Sequence, residues 1–504
     1  MKAYRSIIAL FCILVTLVCL AACGGAAAPE APQIPDVPVL NSSLPAVRIN
    51  TADGEYDFIT KPVREDKMAD NIHYVDATVA VDNCDEEYVI SPTDAQVKAR
   101  GNWTLNYPKK PIRIKFSEKK GMLGMNEGRE FKNWLLLADW KDLSMSHNYV
   151  ALYLADGILG TDGYYVSDYM YVDVYINDHY WGMYLLVEQQ EINDGRTTVT
   201  EGDKDYTGTD IGYMFEYDAY YRDERNMPND SGDPTFEIDY GLFAGYKSGK
   251  PHPDPYQAEG MHGYTMKSDI YDDAQLDFVA NYTQCAYDII TRAIYKNEHY
   301  GFNEDYTAIV PIEGKSVKDT VSQVIELDSL VDMFLLNEIV MNPDIAWSSF
   351  YLCLDMSENG SKKLIFEAPW DYDSCFGIRI STFTSPGTET NQGMYCERTN
   401  NPWLRIFADQ DWFMDMVADK WNEVKAAGLF DNTLALIEQQ RTVLADNYAQ
   451  NYHRWMDRVF YGNEELIPEL NKCKNQREAS EFLTEWLTGR LEYLDSQLGK
   501  PAAE

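Results

Sequence analysis

A helix, a hairpin and two acidic loops follow one another between residues 328 and 373, and this order constrains the fold more than any other feature. Residues 328–340 have apolar side chains at helical spacing, and Pro343 prevents the helix from continuing. Residues 350–354 and 364–368 have strand patterns with an Asn-Gly turn between them. Because hairpin strands run in opposite directions, the loop before the first strand and the loop after the second meet at one end.

The two loops at that end carry aspartates. Asp344 follows the helix, and Asp371 and Asp373 lie in the second loop. Carboxylates held close together are suited to a shared hard cation such as Mg²⁺ or Mn²⁺. In phosphoryl-transferring enzymes, one loop Asp accepts a hydroxyl proton and an Asp after the next hairpin holds the metal ion. This layout indicates phosphoryl transfer.

Two segments earlier in the chain carry residues that are predicted to contact the nucleotide in the same reaction. The predicted strand at 111–116 contains Lys115, at the kind of position from which a lysine contacts phosphate. Glu188 ends a predicted strand at 181–188, where the two halves of the protein would be joined. We expect the backbone of Glu188 to face the base of a bound nucleotide.

Strand patterns dominate the first half of the chain and helical patterns dominate its end. The predicted strands are residues 75–81, 95–99, 111–116, 171–176 and 181–188, the last two joined by a turn at Asn177 and Asp178. The predicted helices lie within residues 134–157, 275–296, 328–340, 412–427, 433–452 and 479–498. In the first of these helices Asp142 precedes the apolar positions and Gly157 is the expected C-cap, while Asp328 is the expected N-cap of the third.

These elements predict an α+β fold with a sheet-rich lobe, a helical lobe and a cleft between them. The expected divisions are a β-rich N-terminal lobe at 46–190, a Tyr-, Gly- and Asp-rich insertion with little regular structure at 191–265, a C-terminal core carrying both acidic loops at 266–400, and a helical region at 401–504.

The first 45 residues have the composition of an export signal and a tether. Lys2 and Arg5 precede an apolar run at 7–20, as in secretory signal peptides. The run ends in Leu20-Ala21-Ala22-Cys23, which resembles the bacterial lipoprotein box, where the thiol takes a diacylglycerol. We therefore expect an extracytoplasmic protein anchored to the membrane by a lipid on Cys23. The divisions are a signal peptide at 1–22 and a lipidated, Pro- and Ala-rich tether at 23–45.

The net charge of the chain limits the classes of molecule that it is expected to bind. A formal net charge of −38 argues against nucleic-acid binding, which needs a basic surface, and is compatible with basic partners and divalent cations. We expect a monomer. Six cysteines follow Cys23, and because they lack the C-x-x-C spacing they argue against a zinc site while leaving their disulfide pairing open. They are Cys84, Cys285, Cys353, Cys375, Cys396 and Cys473.

Several blocks of sequence, in matching order, resemble the CotH kinase family, the atypical kinases related to spore-coat protein H. In the N-terminal half the blocks are Arg100-Gly101-Asn102-Trp103, Lys109-Lys110-Pro111-Ile112-Arg113-Ile114-Lys115-Phe116, Trp134-Leu135-Leu136-Leu137-Ala138 with Asp142, and Ile176-Asn177 with Trp181-Gly182-Met183-Tyr184 through Glu188. In the C-terminal half they are Asn337-Glu338, Asn342, Asp344, Tyr351, and Pro369-Trp370-Asp371-Tyr372-Asp373 with Phe376-Gly377. The resemblance runs from about residue 70 to 495, with the insertion between.

The resemblance implies a reduced and rearranged kinase-like fold, ATP, Mg²⁺ or Mn²⁺, and phosphorylation of Ser or Thr in a protein, with a basic Ser-rich substrate and a spore compartment as one setting. It implies that Asp344 is the catalytic-loop acid and that Asp371, helped by Asp373, binds metal. The implied phosphate contacts are Lys115, with Lys110 and Arg113 as alternatives, and Arg100.

Two positions depart from the family pattern. Ser349 stands where the family usually has the metal-binding Asn, and a hydroxyl there is a weaker ligand for a second cation. His147 stands near a position where the family tends to carry Arg. These departures leave an alternative open, in which the chain is a kinase scaffold without activity that binds a surface partner through the tyrosines of residues 206–256. Paired carboxylates at Asp371 and Asp373 also suit a glycoside hydrolase, against which the resemblance argues.

Overall fold

The computed structural model describes residues 42–61, 73–221, 233–243, 246–247, 250–251, 256–257, 262–381, 386–459 and 466–500. The strands are β1 (Ala46–Thr51), β2 (Val75–Asp82), β3 (Ile90–Ala99), β4 (Ile112–Lys120), β5 (Phe131–Leu137), β6 (Tyr169–Ile176), β7 (His179–Glu188), β8 (Gly212–Asp218), β9 (Thr235–Phe236), β10 (Leu242–Phe243), β11 (Tyr246–Lys247), β12 (Lys250–Pro251), β13 (Tyr256–Gln257), β14 (Gly263–Met266), β15 (Tyr300–Phe302), β16 (Ile309–Pro311), β17 (Phe350–Asp355) and β18 (Leu364–Ile365). The α-helices are α1 (Asp57–Thr60), α2 (His147–Ile158), α3 (Asp273–Lys296), α4 (Val317–Val321), α5 (Leu327–Val340), α6 (Pro402–Arg405), α7 (Asp411–Ala426), α8 (Leu429–Val443), α9 (Ala445–Val459) and α10 (Gln476–Leu498).

Seven strands form a closed barrel in the order β1-β2-β3-β4-β5-β7-β6, in which β6 pairs with β1 in parallel and every other pairing is antiparallel. Strand β4 illustrates why these segments fold this way. Ile112, Ile114 and Phe116 are buried, while Arg113 and Lys115 between them keep access to solvent. This period of two, read from the sequence, correctly predicted the strand.

A tight turn joins β6 and β7. Asn177 and Asp178 both have positive φ, +48° and +65°, as a two-residue type I′ turn requires. Asn and Asp tolerate this left-handed backbone because their short side chains bond locally. The predicted hairpin is therefore confirmed.

A second, five-stranded antiparallel sheet has the order β18-β17-β8-β14-β9. Strand β8 and all but the last residue of β14 fall within residues 191–265, so the expectation of little regular structure there is wrong for these two segments. All seven residues of β8 are buried, and residues 212–215 lack the polar alternation of a half-exposed strand, which appears only at Glu216 and Asp218. Without that alternation the strand gave no periodic signal.

Helix α2 is shorter than the sequence predicted. Residues 131–137 form strand β5, and the helix begins at His147, where the Asp142 carboxylate accepts hydrogen bonds from the backbone N–H groups of Ser146 (2.6 Å) and His147 (2.7 Å). Gly157 lies inside the helix and is not its C-cap. A Cβ on Gly157 would lie 2.4 Å from Leu429 Cδ1, so glycine is needed there for close packing.

Helix α5 crosses the interior of the protein. Of its residues, all but one are buried, and the predicted helix at 328–340 is confirmed. Its N-cap position is Glu326, and Asp328 lies in the first turn, so the predicted capping role of Asp328 is wrong. The predicted helix at 433–452 is divided between α8 and α9, with Leu444 between them.

The C-terminal helices pack directly on the barrel. Trp455 on α9 donates its indole N–H to the carbonyl of Trp181 at 2.8 Å, and Asn451 accepts the backbone N–H of Met183 at 3.1 Å. The architecture is therefore a mixed α+β fold, as predicted, in which the late helices and the early strands share one packed body.

No helix within the described residues combines the length and apolar composition needed to cross a bilayer. The cysteines whose pairing the sequence left open are free thiols, three of them buried. They are Cys84, Cys285, Cys353, Cys375, Cys396 and Cys473. Cys23 and the predicted export signal lie outside the described residues.

Candidate active site

Three aspartates converge where the two acidic loops meet. Asp344, Asp371 and Asp373 each present one carboxylate oxygen, and these oxygens lie within 4.8 Å of one another. The spatial meeting predicted from the hairpin is therefore confirmed. Three carboxylate oxygens at this spacing suit a hard divalent cation such as Mg²⁺ or Mn²⁺.

The loop carrying Asp344 is fixed by the residue that precedes the proline. Helix α5 ends where Met341 adopts a left-handed backbone with φ of +52°. Asn342 then accepts the backbone N–H of Asp344 through Oδ1 at 2.9 Å and donates from Nδ2 to the carbonyl of Asp371 at 3.2 Å. One amide thereby bridges both acidic loops.

The loop carrying Asp371 is held from two sides. Ser349 donates from Oγ to Asp371 Oδ2 at 3.3 Å, and Asn148 of α2 accepts the backbone N–H of Tyr372 at 2.9 Å. Asp371 has a φ of +65°, an unusual backbone for a non-glycine residue. Such a conformation persists where its surroundings determine it, and it is common at functional sites.

Sequence analysis missed the cation of this cluster, Lys141. Its Nζ lies 3.0 Å from Asp373 Oδ1 and donates to Ser374 Oγ at 2.5 Å, and both charged side chains are less than a tenth exposed. In the sequence, Lys141 follows β5 and is separated from Asp373 by the last two barrel strands and the whole second sheet. The available signal was its position beside Asp142, within a block that carried the family resemblance.

The electrostatics of the cluster favour a bound cation. Burial and, to a smaller extent, the neighbouring Asp373 and Asp344 carboxylates raise the pKa of Asp371 to about 7, against the opposing effect of Lys141 and Arg100. Burial also raises the pKa of Asp344, while Lys141 lowers it. A divalent cation would relieve this repulsion and keep the carboxylates ionised.

The aspartates open into a cavity of about 1570 Å³ between the barrel and the second sheet. Cationic side chains from the barrel side share the lining with them, and Tyr, Trp and acidic side chains line the rest. The cations of the barrel side include Lys98, Arg100, Arg113, Lys115 and Lys141. A cavity of this size and charge suits a phosphorylated ligand.

Two of the predicted phosphate contacts lie at this cavity. The Arg100 guanidinium is 5.7 Å from the centre of the Trp370 ring, beside Asp371. Lys115 is exposed on β4, and its ammonium lies 5.8 Å from the centre of the Tyr74 ring.

The two alternatives to Lys115 differ in whether they line the cavity. Arg113 lines the cavity and donates to Asn133 Oδ1 at 3.3 Å. Lys110 is buried outside the cavity lining, donates to the Tyr107 carbonyl at 2.5 Å, and has its pKa lowered to about 8 by burial.

Glu188 is not brought to the cavity. Its carboxylate is buried and accepts hydrogen bonds from Arg196 Nε at 3.0 Å and Asn126 Nδ2 at 2.7 Å. Such pairing offsets the cost of burying a carboxylate, so these contacts account for the buried charge without a ligand. Residues 189–193, which follow it, line the cavity instead.

His147 is not part of the cavity lining either, although the next residue, Asn148, is. It is buried beside Asp142, with Nε2 3.4 Å from Asp142 Oδ1, and its ring lies 5.2 Å from that of Phe376. Burial lowers the pKa of His147, so the imidazole packs as a neutral group.

The C-terminal helices brace the loops of the site. Arg490 of α10 donates from Nη2 to Glu338 Oε2 at 2.8 Å, at the end of α5 that leads to Asp344, and both side chains are fully buried. Gln476 donates to the Ser144 carbonyl at 2.8 Å, and Tyr452 donates to the Leu143 carbonyl, so the segment after Lys141 is held as well. The site therefore depends on residues at the far end of the chain.

Comparison with known proteins identifies the family. No curated protein matches the chain significantly. The family model described as CotH kinase protein matches residues 97–494, a range that includes every residue of the aspartate cluster, Lys141, and the bracing residues Tyr452, Gln476 and Arg490. The match extends over most of the chain and contains all the sequence blocks that carried the resemblance. The chain therefore belongs to the CotH kinase protein family.

Proposed function

We propose that this chain is a protein kinase that transfers the γ-phosphoryl group of ATP to a Ser or Thr hydroxyl of a protein, with Mg²⁺ or Mn²⁺ as the cation. The observation that carries the proposal is the meeting of Asp344, Asp371 and Asp373 at a cavity that cationic side chains also line. Positioned carboxylates, a divalent cation and phosphate-contacting cations are the parts that phosphoryl transfer requires.

In this proposal the residues of the site have separate roles. Asp344 accepts the proton of the acceptor hydroxyl, while Asp371 and Asp373, with the Ser349 hydroxyl, hold the cation. The cation supplies charge neutralisation at the phosphates. Arg100 and Lys115 contact the phosphates from the barrel side. The barrel and the helical part then correspond to the two lobes of a kinase-like arrangement, with the cavity between them.

The acceptor is a basic, Ser-rich protein segment in this proposal. The side of the cavity formed by the second sheet and its neighbouring loops carries several acidic side chains. They are Glu201, Glu216, Asp218, Asp233 and Asp269. Lysines or arginines beside the acceptor serine would be attracted to this wall, and the net charge of −38 adds a longer-range attraction.

We also propose that the protein works as a monomer outside the cytoplasm, on the membrane to which a lipid on Cys23 anchors it. The support is the order of basic, apolar and small residues before Cys23. Such a location requires a local supply of ATP, for which a developing spore compartment is one setting.

One observation favours an alternative in which the chain is a binding scaffold without catalysis. Ser349 offers a short hydroxyl at the second metal position, and its Oγ hydrogen-bonds Asp371. A scaffold would keep the fold and the partner-binding surface while lacking phosphoryl transfer.

The deciding experiment incubates the purified full chain with γ-labelled ATP, Mg²⁺ or Mn²⁺ and a basic Ser-rich peptide. We expect label on the peptide or on the chain itself, and its loss in Asp344→Asn. Absence of label with either cation, in a preparation that also shows no nucleotide-dependent change in Tm, would support the scaffold.

A further inference from the structure

Lys141 is a fourth member of the aspartate cluster, and it lies on the side of Asp373. Its ammonium contacts Asp373 Oδ1 at 3.0 Å and donates to Ser374 Oγ at 2.5 Å. Ser374 Oγ also lies 3.3 Å from Asp373 Oδ1. Because Lys141 and Asp373 are both buried, solvent does not screen the positive charge from its neighbours.

The spacing of the carboxylates matches one enclosed ion. Oxygen ligands on opposite sides of an octahedral Mg²⁺ are about 4.2 Å apart, twice the bond length of about 2.1 Å. The oxygens of Asp371 and Asp373 lie within 4.8 Å of each other, so a small movement places both on a single centre, with the Asp344 carboxylate beside it. In a two-metal site the ions are about 3.5–4 Å apart, and the second ion needs ligands of its own.

The surroundings offer little to a second ion. Ser349 has a short hydroxyl that is bonded to Asp371 Oδ2 at 3.3 Å. Glu216, the carboxylate beside Ser349, is engaged by Lys267 at 2.7 Å and by the backbone N–H of Ser349 at 2.5 Å. On the Asp373 side the ammonium of Lys141 is in place, and it would repel a second divalent cation.

We propose that this site binds a single divalent cation and that the Lys141 ammonium takes the place of the second. The inference rests on the proposed phosphoryl transfer, because it assigns a charge that two-metal kinases obtain from a metal ion. Three carboxylates, one divalent cation and one lysine sum to zero charge, so this cluster is neutral before a nucleotide enters. Lys141 is then a binding residue for the phosphates as well as a partner of Asp373.

The test measures the number of Mn²⁺ ions bound per chain. The full chain is titrated with Mn²⁺ in the presence of one equivalent of a non-hydrolysable ATP analogue, and free Mn²⁺ is measured by electron paramagnetic resonance. We expect one tightly bound Mn²⁺ per wild-type chain and two in Lys141→Met with Ser349→Asn, where Asp373 is released and an amide ligand is added. Lys141→Arg, which keeps the charge, should remain at one.

Lys204→Met is the matched control, because Lys204 lines the same cavity but is exposed and belongs to its other side. Its count should stay at one. Two Mn²⁺ in the wild type would overturn the single-cation inference while leaving phosphoryl transfer intact, and this result needs no variant to fold. A count that remains at one in a folded Lys141→Met, Ser349→Asn protein would also overturn it. No Mn²⁺ in any protein would overturn the proposed function itself.

Discussion

Asn342 Nδ2 donates a hydrogen bond to the backbone carbonyl of Asp371 at 3.2 Å, while Oδ1 of the same amide accepts the backbone N–H of Asp344 at 2.9 Å. The distance between the two acidic loops is therefore set by one buried side chain. Loop spacing matters for catalysis because a misplacement of about 1 Å can slow a reaction about 100-fold.

We expect Asn342→Ala to lower kcat by about 100-fold and to destabilise the fold by about 1–3 kcal/mol, since buried polar groups lose their partners. Asn342→Asp is the matched variant, because it keeps the acceptor for Asp344 but loses the donor to Asp371. Steady-state kinetics and urea unfolding would measure both effects. Unchanged kcat in both variants would show that the bridge does not position the loops.

Substitutions in the two acidic loops should affect different steps, nucleotide binding for one loop and phosphoryl transfer for the other. We expect Asp371→Asn to weaken Mg²⁺-dependent nucleotide binding, because the carboxylate charge that faces the cation is removed. Asp344→Asn should retain nucleotide binding and lower the transfer rate by at least about 100-fold, the usual contribution of a general base. A nucleotide-dependent shift in Tm measures the first effect, and transfer of label measures the second. Equal loss of binding in both variants would contradict the assigned roles.

The meeting of these loops was predictable because a hairpin brings its two ends together whatever the rest of the fold does. Local patterns also sufficed for β4, where apolar and polar side chains alternate, and for the turn at Asn177 and Asp178. Strand β8 was missed because burial on both faces removes that alternation. The predicted start of helix α2 at residue 134 was wrong for a different reason, because the apolar residues 134–137 belong to a buried strand.

The ion pair between Glu338 and Arg490 offers a test of the brace. Arg490→Met should destabilise the fold by about 3–5 kcal/mol, because it leaves the buried Glu338 charge without its cation. Removing both charges in Glu338→Met with Arg490→Met should cost less than the sum of the single changes. Urea unfolding of the four proteins gives the coupling free energy. Additive effects would mean that the pair does not act as a unit.

The titration of Asp332 should make the stability of the fold depend on pH. Asp332 lies on α5, away from the aspartate cluster. Its carboxylate is buried, Lys420 Nζ is 3.6 Å from Oδ1, and burial raises its pKa to about 8. The folded state therefore favours the protonated form. That stabilisation is complete below the unfolded pKa of about 3.9 and is lost as the pH rises through the folded pKa, by up to about 1.4 kcal/mol per pH unit.

Asp332→Asn removes this titration, so its free energy of unfolding relative to the wild type should rise between pH 5 and pH 7. Urea unfolding at three pH values would measure the difference. Asp328→Asn is the control, because Asp328 is exposed on the same helix and should show no comparable trend. A constant difference for Asp332→Asn across this range would contradict the prediction.

The side chains that sequence reasoning failed to place are those whose role depends on distant packing. Lys141 reaches Asp373 only because the segment after β5 folds beneath the second acidic loop, and no local pattern encodes that meeting. Glu188 showed the converse, since its position at a strand end predicted that its backbone faces the nucleotide base, whereas its carboxylate pairs with Arg196 and residues 189–193 line the cavity. Residues of the first kind become predictable only when the tertiary contacts are known.

The brace from Gln476 and Arg490 has a consequence for the order in which the protein matures. A chain is made from its N-terminus, so all three aspartates are synthesised long before α10. A nascent or prematurely clipped chain would hold every acidic group yet lack the contacts that fix the loops carrying them. If the proposed phosphoryl transfer holds, it would begin only after the last helix has docked, and an unfinished chain would stay silent during synthesis.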